Sequence, residues 1–495
     1  MPELILFTLV MVLMFWAFNT LIFKGLFSSY VLNLLNKLFS FQKNSGAKFL
    51  SPLSTWKVIN PGNKGLLIDG YKDRLSEESS YTHLALISPT GAGKTSRYII
   101  PNLFTLNNCS MVVTDPSGEI YKKTSGELKR RGFEIQVIDP SHPEATLRYN
   151  PLAKASSFTD IKEVAHILIK SANPSYQGGG GDAFWYQGAE TLLDVLINAL
   201  RGTGEERYIN LGNLLYLLQH FGEDGRRLDD FIRTNASTSA YNQYVGLISG
   251  NPKTLQSFLS VALNSLSMIS NPDIADFMSE DEVDFQQLRK KKTVVYLIIP
   301  SQKIEYYSFI INLFYTQFFN ACMEKMPGEK DLPIYCLMDE FGHSAVPSFS
   351  TIITTIRKYK VSISIVLQSI GQLRTNYGHN AAQTILEGGI SSKVFYSGLD
   401  IQTAKMVEVM LGKARYEKVT LSGSSGSREE NLMNADRVRT MKDEQALFFY
   451  ANKEPIMMST KAYFKQGKLA MMSKRLPYQF PNRKESKALE YVPFE

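Results

Sequence analysis

The first hydrophobic feature of the chain is a long apolar run near its N-terminus. Residues 4–23 are almost wholly apolar and are interrupted only by Thr8, Asn19 and Thr20. These twenty residues, at 1.5 Å per residue in a helix, would span about 30 Å, the thickness of the hydrocarbon layer of a bilayer. A cleavable signal peptide is the alternative, but no basic residue precedes the run and no small-residue cleavage site follows it. We therefore predict a membrane anchor over residues 1–47, with a span at about 4–23.

The charges around this run predict its orientation. Only Glu3 is charged before it. Four lysines follow it: Lys24, Lys37, Lys43 and Lys48. Because positive charge is retained on the cytoplasmic side of a membrane, the large C-terminal part is expected to lie in the cytoplasm. The stretch 26–41 is apolar but contains polar residues, which is typical of an interfacial amphipathic helix or of a weak second span.

The rest of the chain alternates between two hydrophobic patterns. Short apolar runs that end in turn residues are typical of buried parallel strands. Such runs occur at 83–87, 110–114, 134–138, 293–299, 334–338 and 362–367. From about 156 to 284 this pattern is absent, and apolar residues recur at the spacing of one helix face. The order of the two patterns predicts an α/β fold that an all-α segment interrupts.

This order also predicts the domain organisation. Separate domains would leave the first α/β segment with too few strands to close a core, so one α/β domain with a helical insertion fits better. We place its first part at 48–155, the all-α domain at 156–285, and its second part, with a short basic tail, at 286–495. The chain has 495 residues and 44% hydrophobic content, which excludes a disordered protein. Its net charge of +7 permits an anionic partner without demonstrating one. Its three cysteines lack CxxC spacing, which excludes a disulfide scaffold and disfavours a zinc site.

The most specific motif follows the first of these strands. The sequence Ser-Pro-Thr-Gly-Ala-Gly-Lys-Thr at 88–95 lies between an apolar strand and a helical stretch, as a phosphate-binding loop does. Backbone N–H groups of such a loop and of the helix N-terminus bind phosphate oxygens. The lysine would reach the β- and γ-phosphates, and the threonine would bind Mg²⁺. The residues expected to bind the nucleotide are Thr90, Gly91, Ala92, Gly93, Lys94, Thr95 and Ser96.

Acidic and amide side chains at two later strand ends complete the candidate site. The apolar run 334–338 ends in Asp339 and Glu340. A carboxylate at that place would bind Mg²⁺, here Asp339, and Glu340 would polarise the attacking water. The run 362–367 ends in Gln368, which would sense the γ-phosphate or the water; a surface glutamine that caps the next helix is the alternative. Asp115, at the end of 110–114, either lines the same edge or begins a turn.

The chain resembles the coupling proteins of type IV secretion systems, the TraG/TraD-like group of conjugative DNA-transfer ATPases. The matching features cover most of residues 80–465 in the family's order. They are the N-terminal anchor, 89–96, Val-Thr-Asp-Pro-Ser-Gly-Glu at 113–119, Asn-Pro-Leu at 150–152, Phe184-Trp185, Ala-Glu-Thr-Leu-Leu at 189–193, Met-Asp-Glu-Phe at 338–341, and Leu-Gln-Ser at 367–369 with Gln372-Leu373.

The resemblance implies a RecA-like nucleotide-binding domain, an inserted all-α domain and a hexameric ring. It also implies ATP- and Mg²⁺-dependent export of single-stranded DNA with its bound relaxase, or of protein effectors, to a secretion channel in the bacterial inner membrane. The family's motif residues carry over to Lys94, Thr95, Asp339, Glu340 and Gln368. A further residue, Arg357, resembles the family's arginine that reaches the nucleotide of a neighbouring subunit; a solvated base at a helix end is the alternative.

Two departures from the family pattern bear on this interpretation. Ser88 replaces the first glycine of the loop, which requires a negative φ at that residue. Only one membrane span is clear, whereas members with a fuller membrane domain have two. Two other functions stay open: a non-hydrolysing membrane receptor that docks protein cargo, and a DNA translocase of the chromosome-partition type. The pair Asp339-Glu340 argues against the first, and the all-α insertion argues against the second.

Overall fold

The computed structural model describes residues 10–11, 41–173, 183–221, 225–343, 345–420, 423–481 and 489–493. The predicted span at 4–23 lies outside this part of the chain except for residues 10 and 11, and the stretch 26–41 lies outside it except for Phe41. No helix in the described ranges has both the length and the apolar character that a bilayer crossing needs. The chain divides into one unit of residues up to 49 with 404–438, and a second of 50–403 with 439–495.

The strands, numbered along the chain, begin and end as follows. They are β1 (Phe41–Gly46), β2 (Leu84–Ile87), β3 (Ser110–Asp115), β4 (Glu134–Ile138), β5 (Thr293–Ile298), β6 (Ile334–Met338), β7 (Val361–Leu367), β8 (Ser392–Tyr396), β9 (Lys413–Thr420), β10 (Gly423–Asn431), β11 (Gln445–Tyr450) and β12 (Ile456–Ser459). In the first unit, β1, β9 and β10 form an antiparallel sheet in the order β1-β9-β10.

The helices are numbered in the same way. They are α1 (Pro52–Val58), α2 (Glu77–Ser80), α3 (Ile100–Thr105), α4 (Glu119–Arg130), α5 (Pro151–Lys154), α6 (Phe158–Ala172), α7 (Ala183–Gly202), α8 (Leu211–Gln219), α9 (Gly225–Asn235), α10 (Thr238–Ile248), α11 (Pro252–Ser265), α12 (Pro272–Phe277), α13 (Ser308–Glu324), α14 (Phe349–Thr355), α15 (Ile370–Gln383), α16 (Ile401–Leu411), α17 (Ala435–Arg439) and α18 (Gly467–Met472). A π-helical turn at Thr95–Ile99 leads directly into α3.

The second unit is built on a nine-stranded sheet in the order β12-β11-β8-β2-β7-β6-β3-β5-β4. Neighbouring strands from β8 to β4 run parallel, and β11 pairs antiparallel with both β8 and β12. The central strands are buried along their whole length, as strands covered by helices on both faces must be. All six strands predicted from the sequence are present, with ends that differ by no more than one residue. The α/β prediction is therefore confirmed.

The described residues between β4 and β5 form helices and no strand. Their starts are set by polar caps: at α6 the Ser157 hydroxyl accepts from the Asp160 N–H while the Asp160 carboxylate accepts from the Ser157 N–H. Ile161, Val164 and Leu168 then fall on one face and are buried. The domain boundaries at 156 and 285 stay predictions.

Parallel pairing brings three strand ends together. Ile87 of β2 lies opposite Leu367 of β7, and Met338 of β6 lies opposite Ile365 of β7. The loops after β2, β6 and β7 therefore leave the sheet side by side at its carboxyl edge, where ligands of open α/β sheets bind.

Candidate nucleotide-binding site

The loop after β2 turns sharply on two glycines. Gly91 has a φ of +81° and Gly93 a φ of +86°, a region that other residues rarely occupy. A Cβ at Gly93 would lie 3.0 Å from the Ser96 hydroxyl. Within the described residues, Ser88 is not among those with positive φ, so its replacement of glycine requires no strained backbone. Its N–H instead donates to the carbonyl of Leu367 at 3.0 Å, which attaches the start of the loop to β7.

Lys94 points back into this turn rather than into solvent. Its side chain is 7% exposed, its Nζ donates to the carbonyl of Ser88 at 3.4 Å, and it lies 3.6 Å from Oε1 of Glu340. A lysine in this position places one positive charge between the turn and the acidic residues that follow β6. That charge, together with the N–H groups at the start of the helix, makes the loop an anion site.

Thr95 and Asp339 form a direct pair across the sheet edge. The Thr95 hydroxyl donates to Oδ2 of Asp339 at 2.8 Å, and Asp339 is 3% exposed. Burial raises the pKa of the Asp339 carboxyl to about 6, and the nearby charge of Glu340 acts in the same direction. The hydrogen bond from Thr95 and the charge of Lys94 oppose this rise. A hydroxyl and a carboxylate at hydrogen-bond distance are hard oxygen ligands, and this pair fits Mg²⁺.

Glu340 occupies the centre of the arrangement. Its backbone has a φ of +54°, which is uncommon for a residue with a side chain. Its Oε2 accepts from Nε2 of Gln368 at 2.9 Å and lies 3.2 Å from Nε2 of His343, while its Oε1 faces Lys94. The carboxylate is thus oriented by three side chains and remains 20% exposed.

The structure brings five of the predicted site residues into one contact network: Lys94, Thr95, Asp339, Glu340 and Gln368. It does not bring Arg357 there. Arg357 lies in the turn Ile356–Tyr359 before β7, and is exposed at the opposite edge of the sheet. Asp115 is buried and caps the start of α4, since its carboxylate accepts from the N–H groups of Ser117 and Tyr121. The turn interpretation therefore holds, and the parallel pairing of β3 with β6 also places Asp115 at the same edge of the sheet.

Sequence reasoning missed two residues that contact this network. His343 lies three residues after Glu340 in a tight turn, a spacing that brings the two side chains together. Gln372 belongs to the motif after β7, but its contact is visible only in three dimensions: its Oε1 accepts from the N–H of Gln368 at 2.9 Å.

The sequence contains two runs of basic residues, at 129–131 and 289–292, and one arginine of each donates to backbone carbonyls within the fold. Arg131 donates to the carbonyls that end α3, at Leu103, Phe104 and Leu106. Arg289 is buried and donates to the carbonyls of Leu332 and Tyr359. These cations stabilise helix and strand ends, so neither arginine is assigned to nucleic acid.

Residues 53–488 match the protein family described as "Type IV secretory system Conjugative DNA transfer". The chain belongs to this family. The match covers both parts of the sheet, the candidate site and the helical segment between them. The family resemblance inferred from the motifs is therefore confirmed.

The named relatives of this chain are distant from it in sequence. "Protein VirD4" of Rhizobium radiobacter is 24% identical over 415 residues, which cover 79% of this chain and 58% of that protein. "Type IV secretion system-coupling protein VirD4" of Bartonella henselae is 21% identical over 416 residues, which cover 78% of this chain and 64% of that protein. The matched part of the chain thus spans about three fifths of the length of these relatives.

Solved structures of the bacterial conjugative coupling protein TrwB have the same fold as this chain. TrwBdeltaN70 in its unbound form superimposes with a TM-score of 0.67 at 16% identity, covering 90% of this chain and 96% of that one. TrwB in complex with ADP and Mg²⁺ superimposes with a TM-score of 0.66, also at 16% identity, covering 90% of this chain and 96% of that one. At this level of identity the likeness concerns the fold alone.

Proposed function

We propose that this chain is an ATP-hydrolysing coupling protein that delivers cargo to a type IV secretion channel. The observation that carries the proposal is the contact network after β2, β6 and β7. It combines a glycine-turned loop, a lysine, a hydroxyl–carboxylate pair and a partly exposed glutamate bonded to a glutamine. Each part corresponds to a step that nucleoside triphosphate hydrolysis requires. The family match and the nucleotide complexes of TrwB support the same chemistry.

In this proposal, residues 90–96 bind the nucleotide phosphates. Their N–H groups are aligned by the two positive φ angles, and the Lys94 ammonium contacts the β- and γ-phosphates. Thr95 and Asp339 would hold a Mg²⁺ ion, which would supply positive charge beside the nucleotide phosphates. A bound cation would favour the ionised form of the Asp339 carboxyl, because it opposes the rise in pKa that burial causes.

Glu340 and Gln368 act on the attacking water. Glu340 accepts the hydrogen bond that orients the water, and the Gln368 amide holds Glu340 in place in the nucleotide-free protein. Arg357 does not belong to the same copy's site. We propose that it contacts the nucleotide of a neighbouring subunit in a hexameric ring, where it stabilises negative charge on the γ-phosphate.

The cargo we propose is single-stranded DNA with its bound relaxase. The family match and the coupling-protein relatives support it. The apolar run at residues 4–23 supports attachment to the bacterial inner membrane, with the bulk of the chain in the cytoplasm.

ATP hydrolysis by the full chain in detergent, measured with and without single-stranded DNA, tests this function. We expect hydrolysis that rises with single-stranded DNA and is lost in Glu340→Gln, whose shape matches the native residue. Nucleotide binding without any hydrolysis would instead favour the non-hydrolysing receptor. Stimulation by duplex DNA alone would favour a translocase of the chromosome-partition type.

A further inference from the structure

The first half of α15 is attached to the acidic loop after β6 by three contacts. Gln372 packs against Gly342, the Asn376 amide donates to the Gly342 carbonyl at 2.7 Å, and the ring of Tyr377 stacks on that of Phe341 at 5.9 Å and 13°. The helix breaks at Gly378, just beyond these contacts, where φ is +74° and ψ is 168°. Residues 370–377 and the loop 339–343 therefore form one packed block beside the candidate site.

Within this block, Gln372 makes the contact that lies nearest the candidate site. Its Oε1 accepts from the backbone N–H of Gln368 at 2.9 Å, so it holds the residue whose amide reaches Glu340. The fit against Gly342 is close: a Cβ there would lie 2.4 Å from Oε1 of Gln372 and 3.0 Å from its Cβ. Only glycine leaves room at 342 for the glutamine in this position.

We propose that Gln372 is a positioning residue of the candidate site, which fixes the Gln368 amide relative to the Glu340 carboxylate. The Gln372 side chain contacts the end of β7 through the backbone N–H of Gln368, and it contacts the loop after β6 at Gly342. Glu340 needs such support because its left-handed backbone costs free energy that the surrounding contacts must offset. This inference rests on the proposed hydrolysis of ATP and concerns the same site.

Among the contacts described, Gln372 does not touch the residues that we expect to bind nucleotide. Lys94, Thr95 and Asp339 make no hydrogen bond or ion pair with it among the contacts described. Loss of Gln372 is therefore expected to leave nucleotide affinity almost unchanged and to lower kcat. Displacement of a reacting group by about 1 Å costs up to about a hundredfold in rate, so we expect a tenfold to hundredfold decrease in kcat.

The first test compares three variants of the full chain in detergent. Gln372→Met keeps the volume and removes the acceptor, Gln372→Glu keeps an acceptor oxygen, and Thr375→Ala changes an exposed residue of the same helix. We expect a lower kcat with unchanged affinity for a fluorescent ADP analogue in Gln372→Met, partial recovery in Gln372→Glu, and no change in Thr375→Ala. Equal kcat in Gln372→Met and the native chain would overturn the proposal.

A second test uses Gly342. The added methyl of Gly342→Ala displaces Gln372, so Gly342→Ala and Gln372→Ala damage the same contact and their losses in kcat should not add in the double variant. Additive losses would contradict the proposal.

Hydrogen exchange gives a readout without nucleotide. The backbone N–H of Gln368 should exchange faster in Gln372→Met than in the native chain, and Thr375→Ala should not change its exchange. Unchanged exchange in Gln372→Met would also contradict a positioning role for Gln372. A native chain that hydrolyses no ATP would refute the proposed function, whereas an active native chain with an unaffected Gln372→Met refutes only this inference.

Discussion

Replacement of Asp339 by asparagine should stabilise the nucleotide-free protein at neutral pH, although it removes a residue of the candidate site. Burial raises the pKa of this carboxyl from the ordinary 3.8 to about 6, and the charge of Glu340 adds to the effect. The folded protein therefore binds this proton more tightly than the unfolded chain does. The carboxyl favours folding most below pH 4, and that contribution is lost as pH rises towards 6.

The size of the effect follows from the shift. About two pKa units at 1.36 kcal/mol each correspond to roughly 3 kcal/mol of lost folding free energy above pH 6, as an upper estimate. Asparagine never ionises, and its carbonyl oxygen still accepts the hydrogen bond from Thr95. The unfolding entropy of a protein of this size is about 1 kcal/mol per kelvin, so Asp339→Asn is expected to unfold up to about 3 °C higher than the native chain at pH 7.5.

Thermal unfolding between pH 4.5 and 8, followed by intrinsic fluorescence in detergent, measures this difference. It should be largest at pH 7.5 and fall to about a third of that value at pH 4.5, whereas Glu329→Gln, which removes an exposed carboxylate, should show no such trend. ADP with Mg²⁺ should raise the unfolding temperature of the native chain more than that of Asp339→Asn. A variant less stable than the native chain at pH 7.5, or a difference independent of pH, would refute the reasoning.

Three further results are expected. Lys94→Ala should weaken nucleotide binding, whereas Glu340→Gln should bind nucleotide and not hydrolyse it; an equal loss of affinity in both would contradict the division of roles. Arg357→Ala subunits and Lys94→Ala subunits should each be nearly inactive in hydrolysis assays and recover part of the activity when mixed; no recovery in rings shown to be mixed would argue against a role in trans. Deletion of residues 1–40, which leaves β1 intact, should release a nucleotide-binding protein from the membrane fraction; a truncated chain that stays there without aggregating would disprove the anchor.

The features that the sequence predicted well depend on local patterns. The six strands are mostly apolar runs that end in turn residues, because parallel strands covered on both faces bury nearly every side chain. The buried polar residues among them, such as Ser362 and Ser364 of β7, have hydrogen-bond partners. The loop after β2 was recognisable because a turn with positive φ demands glycine, as at Gly91 and Gly93. Thr95 and Asp339, which the sequence predicts to bind the same Mg²⁺ ion, lie together because parallel strands present their carboxyl ends at the same edge.

Other features depend on contacts between distant residues and leave no local pattern. Gln372 lies in the first turn of α15, and nothing in its sequence neighbours indicates that it packs on Gly342. Arg131 and Arg289 each belong to a run of basic residues, which suggests a charged surface, yet both donate to backbone carbonyls. A charge run is ambiguous because carbonyl groups at helix ends need cationic donors as much as phosphates do.

The position of Arg357 limits what it can do within one copy of the chain. Arg357 lies before β7 and Gln368 lies directly after this strand. The seven residues of β7 therefore separate the two residues by about 20 Å. An arginine side chain is too short to cover that distance, so Arg357 cannot contact a nucleotide bound at residues 90–96 of its own chain. Any contact of Arg357 with nucleotide must therefore come from a second copy that presents the amino edge of its sheet to the carboxyl edge of the first. Such a contact is head-to-tail, and head-to-tail contacts close into a ring when the rotation between neighbouring copies divides a full turn evenly. A role of Arg357 in trans is therefore consistent with the proposed hexamer.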